Sequence, residues 1–267
     1  MRHTILSVIA LLLLLPLPGR AQGTVNELEN DFGGRLSLAL DKKIVKGVHL
    51  VADGEIRFSD NFSSLSRYQA GLGLNWKINK LLKVGAGYEF IEKLNSKEVW
   101  KPRHRFHVDG AVNLHTGPWQ FGLKESLLLT HREVGNTYQN NPNLLSLKSR
   151  LKISYKGLVS LTPYGFVEVR NVFNDPSCIA TWSTSSQVYT DYSFGGYNDA
   201  YINRIRGSLG VDWKFDKHNS LDFFFLTDYC YDKNIDVDTK DGVSTLSSLT
   251  YDQRLKYSLG IGYKLSF

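Results

Sequence analysis

The residues that could do chemistry in this sequence are charged side chains that recur at every second position of its alternating segments. Acidic and basic types are mixed, so that neighbours of opposite sign can neutralise one another inside a protein. An excess of arginine on one face would instead attract anions. The candidates are Arg35, Asp53, Glu55, Arg57, Glu89, Arg105, Asp109, Lys124, Glu125, Arg150, Glu168, Arg170, Arg204 and Arg206.

Catalytic arrangements receive little support from the sequence. A nucleophilic serine needs an adjacent base, and Ser154 and Ser160 have no histidine in register. His107 lies two residues before Asp109, where packing explains it as well as catalysis does. The stretch "DVDTKDG" (236–242) lacks the fifth and twelfth ligands of a calcium loop, which favours a solvated Asp-Gly turn. The sequence therefore predicts no metal and no cofactor, and it indicates no enzyme.

A strict alternation of polar and apolar residues carries the charges. In "RYQAGLGLNWKI" (67–78) and "LLKVGAGYEF" (81–90), one face is apolar and the other is polar or glycine. A repeat of two residues is typical of β-strands. These segments run for about 10 to 14 residues, whereas soluble strands average about 5–6 and a membrane-crossing strand needs about 9–11. This length favours strands with the apolar face towards lipid and the charged face towards a lumen.

Connections between the segments alternate between short and long, as they do in bacterial membrane barrels with periplasmic turns and external loops. Trp76, Trp119 and Trp213 lie beside short connections and are expected to form an aromatic belt at that end. The short connections are expected near 79–80, 115–118, 156–157 and 216–219. The long ones are expected near 59–66, 92–102, 132–144, 173–200 and 232–250.

The N-terminus has the composition of a secretory signal peptide. Residues 1–21 combine a basic start, an apolar run too short to span a membrane, and small residues before a cleavage site expected after Ala21. Residues 22–267 then form one domain. The formal charge of +6 is scattered along the chain, which argues against a nucleic-acid partner. Cys178 and Cys230 could form one disulfide in an exported protein, or remain two separate thiols.

The fold class that follows is all-β, a single antiparallel transmembrane β-barrel of about 12 strands. Eleven segments alternate clearly. Because single-chain bacterial barrels have even strand counts, residues 22–31 are expected to supply a weak twelfth strand, and ten strands is the alternative. Matching positions across the short turns predicts three contacts, which are Arg35 with Asp53, Asp109 with Lys124, and Lys214 with Asp222.

Glu125 departs from the pattern. In "WQFGLKESLLLTHRE" (119–133), alternation from Trp119 sends Glu125 to the apolar face, where a charge would be costly in lipid. We expect a β-bulge near Lys124 to turn Glu125 inward, since the leucines that follow suit either parity. Bulges occur next to active sites, which makes this position a candidate site.

Four glycines, Gly71, Gly73, Gly85 and Gly87, share the polar face of one hairpin. Glycine within a strand marks a bend or the close approach of another group. Strand curvature is the expected reason, and a ligand or plug against this wall is the alternative.

Most of the mature chain resembles one known family. The segments concerned are "RLSLALDKKI", "RFSDNFSSLSRY", "KVGAGYEF", "LKSRLKISYKG", "PYGFVEVRN", "YINRIRGSLGVDWKF" and "LGIGYKLSF". They resemble the "domain of unknown function 2490" barrels of bacterial outer membranes. The resemblance implies an outer-membrane location in a Gram-negative envelope, with outer-membrane lipid and the barrel assembly machinery as partners. The terminal Phe267 also resembles the assembly signal of such barrels, and the family implies no activity.

Three classes of function remain open at this point. The first is a narrow pore or transport barrel for small solutes, with anions favoured by the inward arginines. The second is a barrel scaffold whose long external loops bind a partner or a glycan. The third is a barrel enzyme that acts on lipid. The number of subunits does not follow from the sequence.

Overall fold

Alternating residues form β-strands along almost all of the chain that the structure, a computed structural model, describes. The described residues are 24–95 and 98–267, so the expected signal peptide at residues 1–21 lies outside them. The three shortest strands are β1 Thr24–Val25, β10 Trp182–Ser183 and β11 Val188–Tyr189. The long strands are β2 Glu29–Val45, β3 Val48–Ser59, β4 Ser64–Lys77, β5 Leu82–Leu94, β6 Trp100–Thr116, β7 Trp119–Arg132, β8 Asn143–Tyr155, β9 Leu161–Ile179, β12 Ser193–Lys214, β13 Asn219–Lys240 and β14 Val243–Ser266.

The long strands close into a barrel, which confirms the predicted all-β barrel fold. Each pairs with the next in an antiparallel ladder, and β14 returns to β2. This last pairing is parallel and runs from Arg254 opposite Glu29 to Ser266 opposite Asp41. A parallel closure is what an odd number of strands requires, and the described residues form a barrel of eleven long strands.

The predicted strand count of twelve is therefore wrong, and so is the alternative of ten. Thr24 and Val25 pair with Thr250 and Tyr251 in the same parallel direction that β2 follows along β14. An additional antiparallel strand would require the chain to reverse direction before Glu29. The chain instead continues along one edge of β14, so β1 extends the line of β2.

The side chains follow an inverted distribution, with apolar residues outside and charged residues inside. On the outer wall, Leu72 is 54% exposed and Leu209 is 70% exposed. In the interior, Glu168 is 2% exposed and Arg206 is 7% exposed. Because alternate residues of a strand point to opposite faces of a sheet, the alternation in the sequence places polar side chains in the lumen and apolar side chains on the outer wall.

The two ends of the barrel differ in their connections. We call them the short-turn end, with connections 46–47, 78–81, 117–118, 156–160 and 215–218, and the long-loop end, with connections 60–63, 133–142, 180–192 and 241–242 and the passage from β5 to β6. The prediction of which connections share an end is correct. Trp76, Trp119 and Trp213 lie at strand ends on the exposed outer face of the short-turn end.

Two of the expected long loops are mostly strand. β9 and β12 extend into 173–200, and β13 and β14 pair continuously up to Lys240 opposite Val243. The connecting residues Asp241 and Gly242 have φ values of 52° and 79°, which suit the two-residue hairpin turns that twisted strands favour. The Asp-Gly turn is thus confirmed, and two long ribbons extend the wall at the long-loop end.

The C-terminus is held in place at the short-turn end. The Phe267 N–H donates to the Asp41 carbonyl at 3.0 Å, and the Phe267 carbonyl accepts from the Lys43 N–H at 2.8 Å. In the neighbouring turn, hydrogen bonds from the Asn219 side chain and the His218 N–H hold the pKa of Asp216 below its usual range. The last residue is therefore part of the closing seam.

Substitution of Gly33 tests how tightly β2 packs against β3. A Cβ atom at Gly33 would lie 2.0 Å from the backbone carbonyl oxygen of Phe58, and no side-chain rotation relieves that contact. We expect Gly33→Ala to lower the free energy of unfolding by about 1–3 kcal/mol, as overpacking does. Gly110→Ala is the matched control, since nothing lies within 4 Å of its Cβ position. Urea unfolding of the two variants in vesicles should differ clearly, and equal midpoints would contradict the prediction.

Candidate lumenal site

Most of the charges predicted from the sequence do lie in the lumen. The fourteen candidates share this face with one exception, Glu125. The inward ones are Arg35, Asp53, Glu55, Arg57, Glu89, Arg105, Asp109, Lys124, Arg150, Glu168, Arg170, Arg204 and Arg206. They fall into groups at different heights along the barrel.

Glu168 on β9 anchors one side of the middle of the lumen. Its carboxylate accepts from Arg150 of β8 at 2.6 Å and from Arg204 of β12 at 2.9 Å. Glu168 is almost completely buried, so its charge depends on these guanidinium groups for compensation. The three residues link three neighbouring strands.

Asp228 on β13 anchors the other side. Its carboxylate accepts from Arg206 at 2.6 Å and from Arg35 of β2 at 2.9 Å. Arg206 also lies 3.8 Å from Glu168 and so connects the two sides. We call the whole group the central cluster, which comprises Arg35, Arg150, Glu168, Arg204, Arg206 and Asp228. Each member forms at least one ion pair, as the simpler of the two explanations that the sequence left open requires, but four guanidinium groups and two carboxylates leave a formal charge of +2.

A second set of ion pairs continues around the wall from the central cluster. Glu55 pairs with Arg57 along β3, and Glu89 of β5 pairs with Arg105 of β6 at 3.0 Å. The Arg105 Nε–H also donates to Thr130 at 3.2 Å. The middle of the lumen is thus crowded with paired charges around most of its circumference.

Nearer the short-turn end, Asp109 lies between two basic groups. The Lys124 ammonium is 3.0 Å from its carboxylate and His107 Nδ1 is 3.2 Å away. The predicted contact between Asp109 and Lys124 therefore forms, although it is diagonal, because Asp109 stands opposite Ser126 in the ladder.

The other two predicted contacts are wrong, and the turns explain why. The first hairpin turns at residues 46–47 with an irregularity after Lys43, so Arg35 faces Arg57 and Asp53 faces Ala39. Lys214 faces Ser220 in the ladder. Asp222 instead accepts a hydrogen bond from the Tyr164 hydroxyl at 2.9 Å. A shift of a few residues in a turn changes every pair that follows it.

The inward glycines make room for polar side chains of adjacent strands. A Cβ atom at Gly87 would lie 2.5 Å from His107 Nε2, and one at Gly71 would lie 2.8 Å from an Asp53 oxygen. Asn75 approaches Gly85 in the same way, and the nearest atom at Gly73 is the Ala86 carbonyl oxygen at 3.1 Å. Close approach of the protein's own atoms therefore accounts for these glycines.

Basic residues accumulate towards the long-loop end. Arg35, Arg57, Arg67 and Lys93 stand directly opposite one another across β2, β3, β4 and β5. Like charges in directly opposed positions destabilise a sheet unless something compensates them. The sequence analysis missed Lys93 and Arg132 because they lie in segments expected to be loops, and Arg67 and Arg103 because they directly follow such segments. Each of the four nevertheless continues the polar face of its strand.

A family model described as "Protein of unknown function (DUF2490)" matches residues 33–238, which extend from β2 into β13. The chain belongs to this family. No curated protein matches the chain significantly. The DUF2490 match thus agrees with the resemblance seen in the sequence, and its description names no activity.

In this DUF2490 barrel the expected bulge at Lys124 is absent and the prediction for Glu125 is wrong. Pairing through β6, β7 and β8 is unbroken, so Glu125 shares the outer face with Leu123 and Leu127. Its carboxylate accepts a hydrogen bond from the Ser149 hydroxyl at 2.6 Å. Ser149 stands opposite Glu125 in the ladder and supplies the polar partner that the lumen was expected to provide.

The remaining residue types that could do chemistry do not converge. Cys178 and Cys230 are free thiols, so the alternative of two separate thiols is the observed one. Within residues 24–95 and 98–267, no group of three or more His, Cys, Asp or Glu side chains could hold a metal ion. Over the same ranges, no helix is long and apolar enough to cross a membrane.

Proposed function

We propose that this protein is an outer-membrane β-barrel of a Gram-negative bacterium that provides a narrow path for small anionic solutes. The exposed apolar outer wall suits contact with lipid hydrocarbon, and the three tryptophans at the short-turn end suit the periplasmic interface. The signal-like residues 1–21 suit export. These features support the location, and the lumen supports the choice of solute.

The observation that carries the proposal is the row of opposed basic residues in the lumen. Arg35, Arg57, Arg67 and Lys93 line the inner face of four neighbouring strands without an acidic residue directly opposite any of them. Arg35 and Arg57 form ion pairs with Asp228 and Glu55, whereas Arg67 and Lys93 form none with the described residues. Rings or rows of Arg and Lys favour anions in pores. An anion that passes along this wall would meet several cationic groups in succession.

The central cluster limits what could pass. Its paired side chains are between 2% and 32% exposed and occupy the middle of the lumen. Such a constriction favours small solutes and a low conductance. A small barrel filled with side chains is the general expectation for a lumen of this kind.

Conductance across a planar bilayer tests this function. With a KCl gradient across the bilayer, we expect small current steps whose reversal potential lies towards that of chloride. Arg57→Gln with Arg67→Gln should shift the reversal potential towards that of potassium, because half of the basic row is neutralised. Lys217→Gln, in the exposed turn at 215–218, is the control and should change little. Cation selectivity in the wild-type protein, or the absence of steps, would contradict the path.

The projecting ribbons favour a second candidate, a scaffold that binds a partner or glycan at the long-loop end. β13 and β14 are 22 and 24 residues long, whereas β3 has 12 residues. At the long-loop end these ribbons extend past the shorter strands, so they provide a surface that lies outside the crowded part of the lumen. Two results together would support this alternative. The wild-type barrel would conduct nothing, and a variant with its lumenal charges neutralised would still bind the partner or glycan.

A further inference from the structure

The charges at the long-loop mouth of the lumen are paired less completely than those of the central cluster. The six basic residues concerned lie at or near strand ends, or on the long ribbons opposite them. We call them the upper basic ring, and they are Arg67, Lys93, Arg103, Arg132, Arg170 and Arg254. Among the charges that act most strongly on Lys93 are those of Arg103, Arg67 and Arg254, from three different strands.

Acidic residues are scarce in this ring. Asp232 is the carboxylate that acts on Lys93 and on Arg103, and its own ion pair is with Arg254 at 2.6 Å. Asp175 acts on Arg132, but it is held by Lys233 at 3.4 Å. Glu55 and Glu89 act on Arg67 from the neighbouring wall. Among the described residues, the six cationic side chains of the ring thus form one ion pair with a carboxylate, whereas every guanidinium group of the central cluster forms at least one.

Several ring members lack an ionic partner. Among the described residues, neither Lys93 nor Arg103 has a carboxylate within ion-pair distance. Arg67 donates to the Gln69 side chain, and its Nε–H is buried without a hydrogen-bond partner. Arg132 and Arg170 donate to neutral oxygens, of Asn141 and Asn203. Buried polar groups are almost always satisfied, and these side chains therefore keep hydrogen-bonding capacity that an anion could use.

The ring is also open to the lumen. The side chain of Lys93 points inward, because it lies two and four residues after Ile91 and Glu89 on the same face of β5, and it is nevertheless exposed. Arg67 stands directly opposite Lys93 in the ladder, so their Cβ atoms are about 5 Å apart. Water-sized groups can therefore reach the Lys93 side chain, which stands beside Arg67.

We infer that the upper basic ring is a binding site for a phosphate-bearing solute, at the entrance to the proposed path. Planar guanidinium groups bind phosphate oxygens with paired hydrogen bonds, and a lysine ammonium adds a point charge. Several converging cations suit a multiply charged anion better than chloride. This inference deepens the proposed function by naming a solute class. It rests on the proposed function only in treating the ring as the entrance of a path, since binding itself does not require conduction.

Calorimetric titration of the detergent-solubilised protein with pyrophosphate and with inorganic phosphate tests the site. We expect both to bind, with pyrophosphate tighter because it carries more charge. The Lys93→Gln, Arg103→Gln double variant should weaken pyrophosphate binding at least about tenfold, the loss of one charged hydrogen bond or more. Asp232→Asn should tighten binding, because it removes the competing carboxylate.

The matched control is Lys77→Gln, at the opposite end of the strand that carries Arg67. It should bind pyrophosphate like the wild type. Equal affinities for the wild type and the double variant, or an equal loss in Lys77→Gln, would overturn the site. Binding of dioctanoyl phosphatidate without binding of pyrophosphate would also overturn it, since a lipid head group would then be the ligand.

The titration and the conductance measurement fail independently. Pyrophosphate binding without current steps would support the binding site and contradict the conducting path. Anion-selective current steps without pyrophosphate binding would support the path and contradict the binding site.

Discussion

Glu168→Gln is expected to lower the free energy of unfolding of the barrel by about 3–5 kcal/mol, the usual cost of breaking a buried ion pair. Glu168 is the carboxylate that compensates Arg150 and Arg204, and Arg206 lies within 4 Å of it as well. A neutral amide leaves three guanidinium groups facing one another with Asp228 as the remaining acid. Urea unfolding in vesicles, followed by tryptophan fluorescence, measures the loss.

Glu133→Gln is the matched control for this substitution. Glu133 forms an ion pair with Lys101 at 3.9 Å, and the two side chains are 69% and 45% exposed. Exposed pairs contribute about 0–1 kcal/mol, so the control should unfold close to the wild type. A Glu168→Gln barrel as stable as the Glu133→Gln barrel would show that the central cluster contributes no net stability.

Deletion of Phe267 is expected to reduce the amount of assembled barrel several-fold, while the barrels that do form lose only about 1–3 kcal/mol. The deletion removes two backbone hydrogen bonds to β2, each worth about 0.5–1.5 kcal/mol. It also removes the terminal aromatic that resembles an assembly signal. Heat-modifiable gel mobility of the outer-membrane fraction measures assembly, and urea unfolding measures stability.

Phe215→Ala controls for the loss of an aromatic at the same end of the barrel. Phe215 is 47% exposed beside a short connection, and Phe267 is 53% exposed. The control should assemble normally because it leaves the closing strand intact. Normal outer-membrane levels of the Phe267 deletion would refute the role of the terminal residue in assembly.

Alternation in the sequence predicts which face a residue occupies far better than which residue it meets. Arg57 and Glu168 were placed in the lumen correctly because parity survives along a regular strand. Arg35 was assigned the wrong partner because register depends on where the turn falls, and composition located that turn only approximately. Local patterns fix the face, and turn geometry fixes the pair.

Two other errors had a different physical origin. The strand count was adjusted to an even number, whereas a parallel seam between β14 and β2 depends on pairing between distant residues that no local pattern reveals. Glu125 was predicted to point inward because a charge facing lipid is costly, whereas the Ser149 hydroxyl donates a hydrogen bond to its carboxylate on the outer face. In both cases a neighbour remote in the sequence decided the outcome.

The parallel seam also constrains how the barrel could be re-engineered. In a barrel with an even strand count the first and last strands are antiparallel, so both chain ends lie at one rim and a short loop can join them. Here Glu29 and Ser266 lie at opposite ends of the seam, about 40 Å apart at ~3.3 Å per residue. A circular permutant would need a linker of at least about 12 residues running the full height of the wall. Hairpin insertion, which adds two strands at once, preserves the parity and would be the compatible way to enlarge this barrel.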